Sequence, residues 1–236
     1  MDRNQKKLNA RICRVILPEG ERSEPEYLKL IAECLPYDES KIVRFARHYP
    51  DSEGGGVVLL HKGYNQGGWK LNGIIHEVKR IRELLSDQSQ NLSYYEFWAV
   101  FDADDISHES ILNRLTEISK TGGRNEIQVA ISIPCFEAFL LAHFTDVNTF
   151  LEPLQGQPLV EIRKKVTTKL HEYYQSEYGL NYEKQVQPEM IERLDTALAN
   201  IPAWPKKERL KSIKTRKLPS VACSIDELIR SIQGNG

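Results

Sequence analysis

The feature that most constrains this chain is an apolar, aromatic run that ends in carboxylates, Glu96-Phe97-Trp98-Ala99-Val100-Phe101-Asp102-Ala103-Asp104-Asp105-Ile106-Ser107. Phe97 to Phe101 is short, bulky and β-prone, the composition of a strand buried on both faces of a parallel sheet. Asp102 and Asp104 stand two apart, so an extended chain projects them to the same side. Open α/β sheets bind ligands at the carboxyl ends of their strands, which is where this acid pair falls. Adjacent carboxylates repel unless a positive charge holds them, and a divalent cation with oxygen ligands does so. The stretch therefore predicts a metal site.

The flanking segments supply a sheet for that strand to join. Ile12 to Leu17 is β-rich and stops at Pro18-Glu19-Gly20, which leaves Glu19 at the sheet's carboxyl edge and lets Gly20 turn tightly. Ser23 and Glu26 form a capping-box pattern around Pro25, and Tyr27, Leu28, Ile31, Cys34 and Leu35 give the following helix an apolar face. Further short strands are expected at Lys41–Arg47, Val57–Leu60 and Ile127–Ile133, with helices at Ile74–Leu85, over Ile111 to Ile118, and from Pro134 to Phe144. Strand and helix thus alternate over residues 1–145, the pattern of a parallel α/β sheet flanked by helices. From 146 to 236 the chain reads as a mostly helical, more highly charged appendage packing on the same domain, with helices at 159–178 and 187–200 and no clear strand.

Composition removes several classes. Charged residues make up 28% and hydrophobic ones 40%, as in soluble globular proteins. A formal charge of -1 argues against a uniformly basic nucleic-acid coat but leaves room for a local basic face. The longest apolar run, around Phe136 to Phe144, is too short to span a bilayer, and the polar start predicts no signal peptide, so a cytoplasmic protein is expected. Cys13, Cys34, Cys135 and Cys223 are widely spaced, which suits buried thiols rather than a zinc site or disulfides. The glycine-rich pieces at 54–56 and 63–68 do not fit a P-loop, so ATP binding by this chain itself is not expected.

Taken together, the Glu19-Gly20-Glu21 turn with Glu24-Pro25 and Tyr27, the Phe101-Asp102-Ala103-Asp104-Asp105 strand end, Ser132-Ile133-Pro134-Cys135-Phe136-Glu137 and Leu140-Leu141-Ala142-His143-Phe144 resemble the RloB-like proteins, a branch of the Toprim superfamily. Weaker echoes follow in Tyr182-Glu183-Lys184 and Leu218-Pro219-Ser220, so the resemblance spans nearly the whole chain. Ile133 stands where the family usually has Asn, and Pro18 and Ser23 differ from the residues expected around the turn. None of the three is a proposed ligand.

The resemblance implies a Toprim-like sheet and metal-dependent cutting of DNA or RNA, tRNA included, with Mg²⁺ (or Mn²⁺) as cofactor. Glu19, Asp102 and Asp104 match the Toprim metal positions. By analogy with the related OLD-family nucleases, Glu24 and Glu137 are further metal-binding acids, Ser132 a supporting residue and Lys184 a charge that neutralises the transition state. The family also implies a role as effector in prokaryotic defence, beside an AAA-type ATPase partner.

Each residue has a blander reading. Glu137 sits where the first turn of a helix favours a carboxylate, Ser132 where it can cap that helix, and Asp105 where the helix after the strand begins. His61, His76, His108 and His143 show no ligand spacing, and His143 is expected to pack in or beside the core. Lys206, Lys207, Arg209, Lys211, Lys214, Arg216 and Lys217 form a solvated basic face or, beside a nuclease site, a contact to the phosphate backbone. Two rival functions remain. A haloacid-dehalogenase-type phosphatase also ends a strand in Asp-x-Asp, but its downstream Gly-Asp motif is missing here. A non-catalytic partner or sensor subunit of an ATPase-containing complex keeps the scaffold without turnover.

Overall fold

Side chains alternate along a strand, and here both alternating sets are apolar, so the sheet is covered on both faces. The computed structural model describes residues 13–20, 22–34, 41–44, 56–60, 71–87, 89, 91–103, 107–121, 126–183, 185–219 and 221–233. Six strands form one sheet: β1 (Cys13–Pro18), β2 (Lys41–Arg44), β3 (Gly56–Leu60), β4 (Tyr95–Asp102), β5 (Ile127–Ile133) and β6 (Ala222–Cys223), in the order β2-β3-β1-β4-β5-β6. The first five are parallel, and β6 adds antiparallel to the β5 edge. The strand β6 is a departure from the sequence reading, which left the region after residue 146 without one. Two residues carry no periodicity, and their pairing with Ser132 and Ile133 is a tertiary choice.

Val15, Leu17, Phe97, Ala99 and Phe101 point to one face, where they pack with buried residues of α2 (Leu71–Asp87) and α3 (His108–Ser119). Ile16, Trp98, Val100 and Ala130 point to the other. There they meet α1 (Ser23–Cys34), α4 (Phe136–Leu141), α6 (Leu159–Tyr178) and α9 (Ile225–Gln233). Between these lie the short helices α5 (Val147–Leu151), α7 (Leu194–Asn200) and α8 (Lys206–Thr215). One continuous buried cluster therefore holds residues from Ile16 to Ile232, so the C-terminal helices share a core with the sheet. Each fully buried Ile, Leu or Phe contributes about 1.5–3 kcal/mol, an upper bound because the unfolded chain already hides some surface. No described helix is long and apolar enough to cross a membrane.

Two ends of the sheet carry different chemistry. At the amino end Arg14 is buried and donates to Ser231, whose hydroxyl donates to Glu96 at 3.0 Å, tying α9 to β1 and β4. The carboxyl end holds the acids described below.

Beneath that end His143 is buried, as its apolar context predicts. Its Nδ1–H faces the carbonyls of Leu140 at 3.1 Å and Phe139 at 3.2 Å, which leaves Nε2 to accept from the Tyr27 hydroxyl at 2.8 Å. Burial, partly opposed by those carbonyls, lowers its pKa from 6.5 to about 4. The unfolded chain therefore binds this proton first as pH falls, so the stabilisation is complete above pH 6.5 and is lost on the way down to about pH 4. Between neutral pH and about pH 5 the loss amounts to about 2 kcal/mol. Denaturant unfolding at both pH values is expected to show a difference of that size between the wild-type slope and the slope of His143→Gln.

Candidate active site

The turn after β1 builds the first part of the carboxyl edge. The Glu19 N–H still donates to the Val100 carbonyl at 2.7 Å, which holds Glu19 against β4 one step past the strand. Gly20 follows, and α1 then folds Glu24 back over it. A β-carbon on Gly20 would overlap both carboxylate oxygens of Glu24, so only glycine leaves the Glu24 side chain where it is. Glu24 is 7% exposed despite its charge. The sequence placed Ser23 as a helix cap with Glu26 as its reciprocal partner, and the structure uses both side chains elsewhere. Ser23 Oγ lies 3.1 Å from the Tyr182 hydroxyl, and Glu26 accepts the Val186 N–H at 3.3 Å. Their longer-range partners take both groups away from the local cap.

The second part comes from β4, β5 and the start of α4. Strand β4 runs through Asp102, opposite Ser132 in β5, and the Ala103 N–H continues the ladder to the Ser132 carbonyl at 3.0 Å. Asp102 Oδ2 accepts the Phe136 N–H at 3.3 Å, so this carboxylate leans toward α4. Ser132 is buried and its hydroxyl faces Cys223 Sγ at 3.7 Å. It does not cap α4; Cys135 holds that position without a side-chain bond, which corrects the blander reading of Ser132.

Glu137 sits where its blander reading puts it. It lies in the first turn of α4, and it is 6% exposed among residues that are all buried. Its carboxylate accepts from the Tyr182 hydroxyl at 3.4 Å. The Cys135 thiol is pushed well above its usual range, first by burial and then by the Glu137 and Asp102 carboxylates. Two acids from different segments thus converge beside one sulfur. Cys223 is likewise pushed up by burial, to about 12, so neither thiol serves as a thiolate nucleophile near neutral pH.

Tyr182 is the residue that sequence reasoning undervalued. Its hydroxyl bridges Ser23 of α1 and Glu137 of α4, and burial followed by the Glu137 charge raises its pKa far above the usual phenol range. Around it the segment is stitched down again: Tyr174 donates to the Gln185 carbonyl at 2.9 Å, and Val186 N–H reaches Glu26. Lys184 lies outside the described residues, but both its flanks are fixed against the helices that carry Glu24 and Glu137. Asp104 and Asp105 also lie outside them. The helix that Asp105 was expected to start begins instead at His108, with the Ser107 hydroxyl accepting the Ser110 N–H at 3.2 Å.

A cation sits among the acids. Arg114 of α3 donates through Nη1 to both oxygens of Glu19, at 3.0 and 3.2 Å. Glu19 therefore leans toward α3 on one side of the sheet while Asp102 leans toward α4 on the other. Among the described residues no three His, Cys, Asp or Glu are grouped closely enough to hold a metal ion. The donor chemistry does fit a hard divalent cation, since the turn after β1, α1, β4 and α4 each bring a carboxylate to this end of the sheet and Cys135 and Cys223 are buried.

The basic segment divides into two kinds of residue. Arg209 is 4% exposed, donates to the Trp204 carbonyl and pairs with Glu227 at 2.7 Å. It is a structural cation, which removes it from the expected nucleic-acid contacts. Lys206 pairs with Glu126, and Arg216 with Asn113 at 3.2 Å and Glu109 at 3.7 Å. Lys207, Lys211, Lys214 and Lys217 are exposed, with no ion pair to the described residues. Lys207, Lys211 and Lys214 share one face of α8 at helical spacing. Because Glu126 precedes β5 and Glu109 opens α3, α8 runs up the outside of α3 from the amino edge to the carboxyl edge. The lysine face thus leads toward the acids.

A family model described as RloB-like protein matches residues 14–232. No curated protein and no solved structure matches the chain.

Proposed function

The chain belongs to the RloB-like family, and from that premise we propose that it is a metal-dependent nuclease of the Toprim type, hydrolysing phosphodiester bonds of DNA or RNA as an effector of prokaryotic defence. The observation that carries the reading is that Glu19, Glu24, Asp102 and Glu137 all lie at the carboxyl end of one sheet, two of them almost wholly buried. Burying a carboxylate is costly, and a fold retains such groups where they have a task.

In this reading Glu19, Asp102 and Asp104 hold Mg²⁺ or Mn²⁺, with Glu24 and Glu137 as further oxygen ligands. The ion, when bound, supplies polarisation of the scissile phosphate and a lower pKa for the attacking water. The protein's own part is positioning. Gly20 lets Glu24 reach the edge, Tyr182 fixes Glu137, and Phe136 N–H orients Asp102, while Lys184 is assigned the charge that neutralises the transition state.

Nucleic acid then runs along α8. Lys207 to Lys214 covers about 10 Å of helix, the span of roughly three phosphates of one strand. Charge reversal of Lys207, Lys211 and Lys214 together is expected to weaken substrate binding and to flatten its dependence on log salt by about two to three. Melting temperature is expected to stay near wild type. Arg209→Ala, in contrast, takes the guanidinium from Glu227, which keeps the Lys206 N–H, and from the Trp204 carbonyl, and is expected to cost about 1–3 kcal/mol of stability.

The alternative is a non-catalytic partner or sensor beside an AAA-type ATPase, which keeps the scaffold without turnover. Incubating the purified protein with Mg²⁺ or Mn²⁺ and a panel of plasmid, single-stranded DNA and tRNA separates the two. Cleavage of any member supports the nuclease. Complete silence, with and without an ATPase partner, supports the alternative.

A further inference from the structure

One acid of the edge has a counter-charge built in. Arg114 follows Asn113 on α3 and precedes buried Leu115, which sets it on the helix shoulder facing the end of β1. Its Nη1 meets both oxygens of Glu19, its guanidinium carbon lies 6.0 Å from the Phe101 ring centroid, and the two side chains are only 18% and 24% exposed. A guanidinium stays charged at any working pH, and its fork fits a phosphate as well as it fits a carboxylate. A divalent cation that took Glu19 would face this positive charge at close range, in a setting that screens it poorly.

We infer that Arg114 is a phosphate-binding residue of this site, held by Glu19 until a metal ion takes that carboxylate and then turned onto a non-bridging oxygen of the substrate phosphate. The inference rests on the metal-dependent reading above. It gives Arg114 two opposed effects: it weakens metal binding to the free protein and strengthens binding of the phosphate.

A structural ion pair shares the first effect and lacks the second, so tighter metal binding must come together with a loss of cleavage. Without Arg114, a Glu19 that depended on it for orientation would bind metal less well, which is the opposite sign.

The test is a titration with Mn²⁺ alone, followed by the paramagnetic signal of the free ion, on wild type, Arg114→Met and Arg114→Lys. Arg114→Met is expected to bind Mn²⁺ about tenfold more tightly, and Arg114→Lys to stay near wild type because it keeps the charge. Cleavage of whichever nucleic acid the wild type cuts is expected to fall about a hundredfold in Arg114→Met and by less in Arg114→Lys. Should Arg114→Met fail to fold, Arg114→Gln replaces it with the same expectations. Unchanged or weaker Mn²⁺ binding in the neutral variant, or tighter Mn²⁺ binding with cleavage unchanged, overturns the inference while leaving the metal site standing. Absence of Mn²⁺ binding in all three proteins overturns the metal site and the inference with it.

Discussion

Gly20→Ala is expected to lower nucleic-acid cleavage about a hundredfold while costing the fold no more than about 2 kcal/mol. The new β-carbon would occupy the space of the Glu24 carboxylate, and Glu24 is almost fully buried there. The side chain can swing away, so the turn survives, but its oxygens leave the sheet edge. Mn²⁺ affinity is expected to fall in parallel. A reversed outcome, with full cleavage and a large loss of stability, would make Glu24 a packing residue of α1.

Glu137→Gln is the second large effect. Glutamine keeps the shape and the carbonyl that Tyr182 donates to, and it removes a charge that α4 buries among apolar residues. Relief of that desolvation is expected to hold stability level or raise it by about 1 kcal/mol. Cleavage is expected to drop by a factor of about a hundred or more, because a neutral amide is a poor ligand for a divalent cation. A protein that loses stability and cuts normally would assign Glu137 to the fold. The two outcomes differ in sign on both axes, so thermal unfolding beside a cleavage assay decides between them.

The parts legible in the sequence were those carried by local pattern. Phe97 to Phe101 was readable because both of its faces are apolar, and Glu19 because a strand that stops at Glu-Gly has nowhere else to put it. The strand itself extends further, over Tyr95–Asp102, because Tyr95 and Glu96 pair with β1 although they are less buried. The parts set by distant partners were not readable. Ser23 looks like a cap until Tyr182, far along the chain, claims its hydroxyl. Arg209 looks like one more surface cation until Glu227 and the Trp204 carbonyl enclose it. Arg114 is an ordinary polar position between Ile111 and Leu115, and only the packing of α3 brings it to Glu19. A usable signal existed for Arg114: a long side chain within the first two turns of the helix that follows an acid-tipped strand can reach back to the carboxyl edge. The lysines of α8 were visible as charge, but their direction of travel required the contacts at Glu126 and Glu109.

The central claim is that the acids at this edge bind metal in order to cut nucleic acid, and Asp104→Ala tests it most directly. Wild type and variant are compared in Mg²⁺ and Mn²⁺ on plasmid, single-stranded DNA and tRNA, with binding of any ATPase partner measured alongside. The expected result is metal-dependent cleavage by the wild type, its disappearance in Asp104→Ala, and unchanged partner binding. Cleavage that persists in Asp104→Ala at the wild-type rate would contradict the assignment of the site.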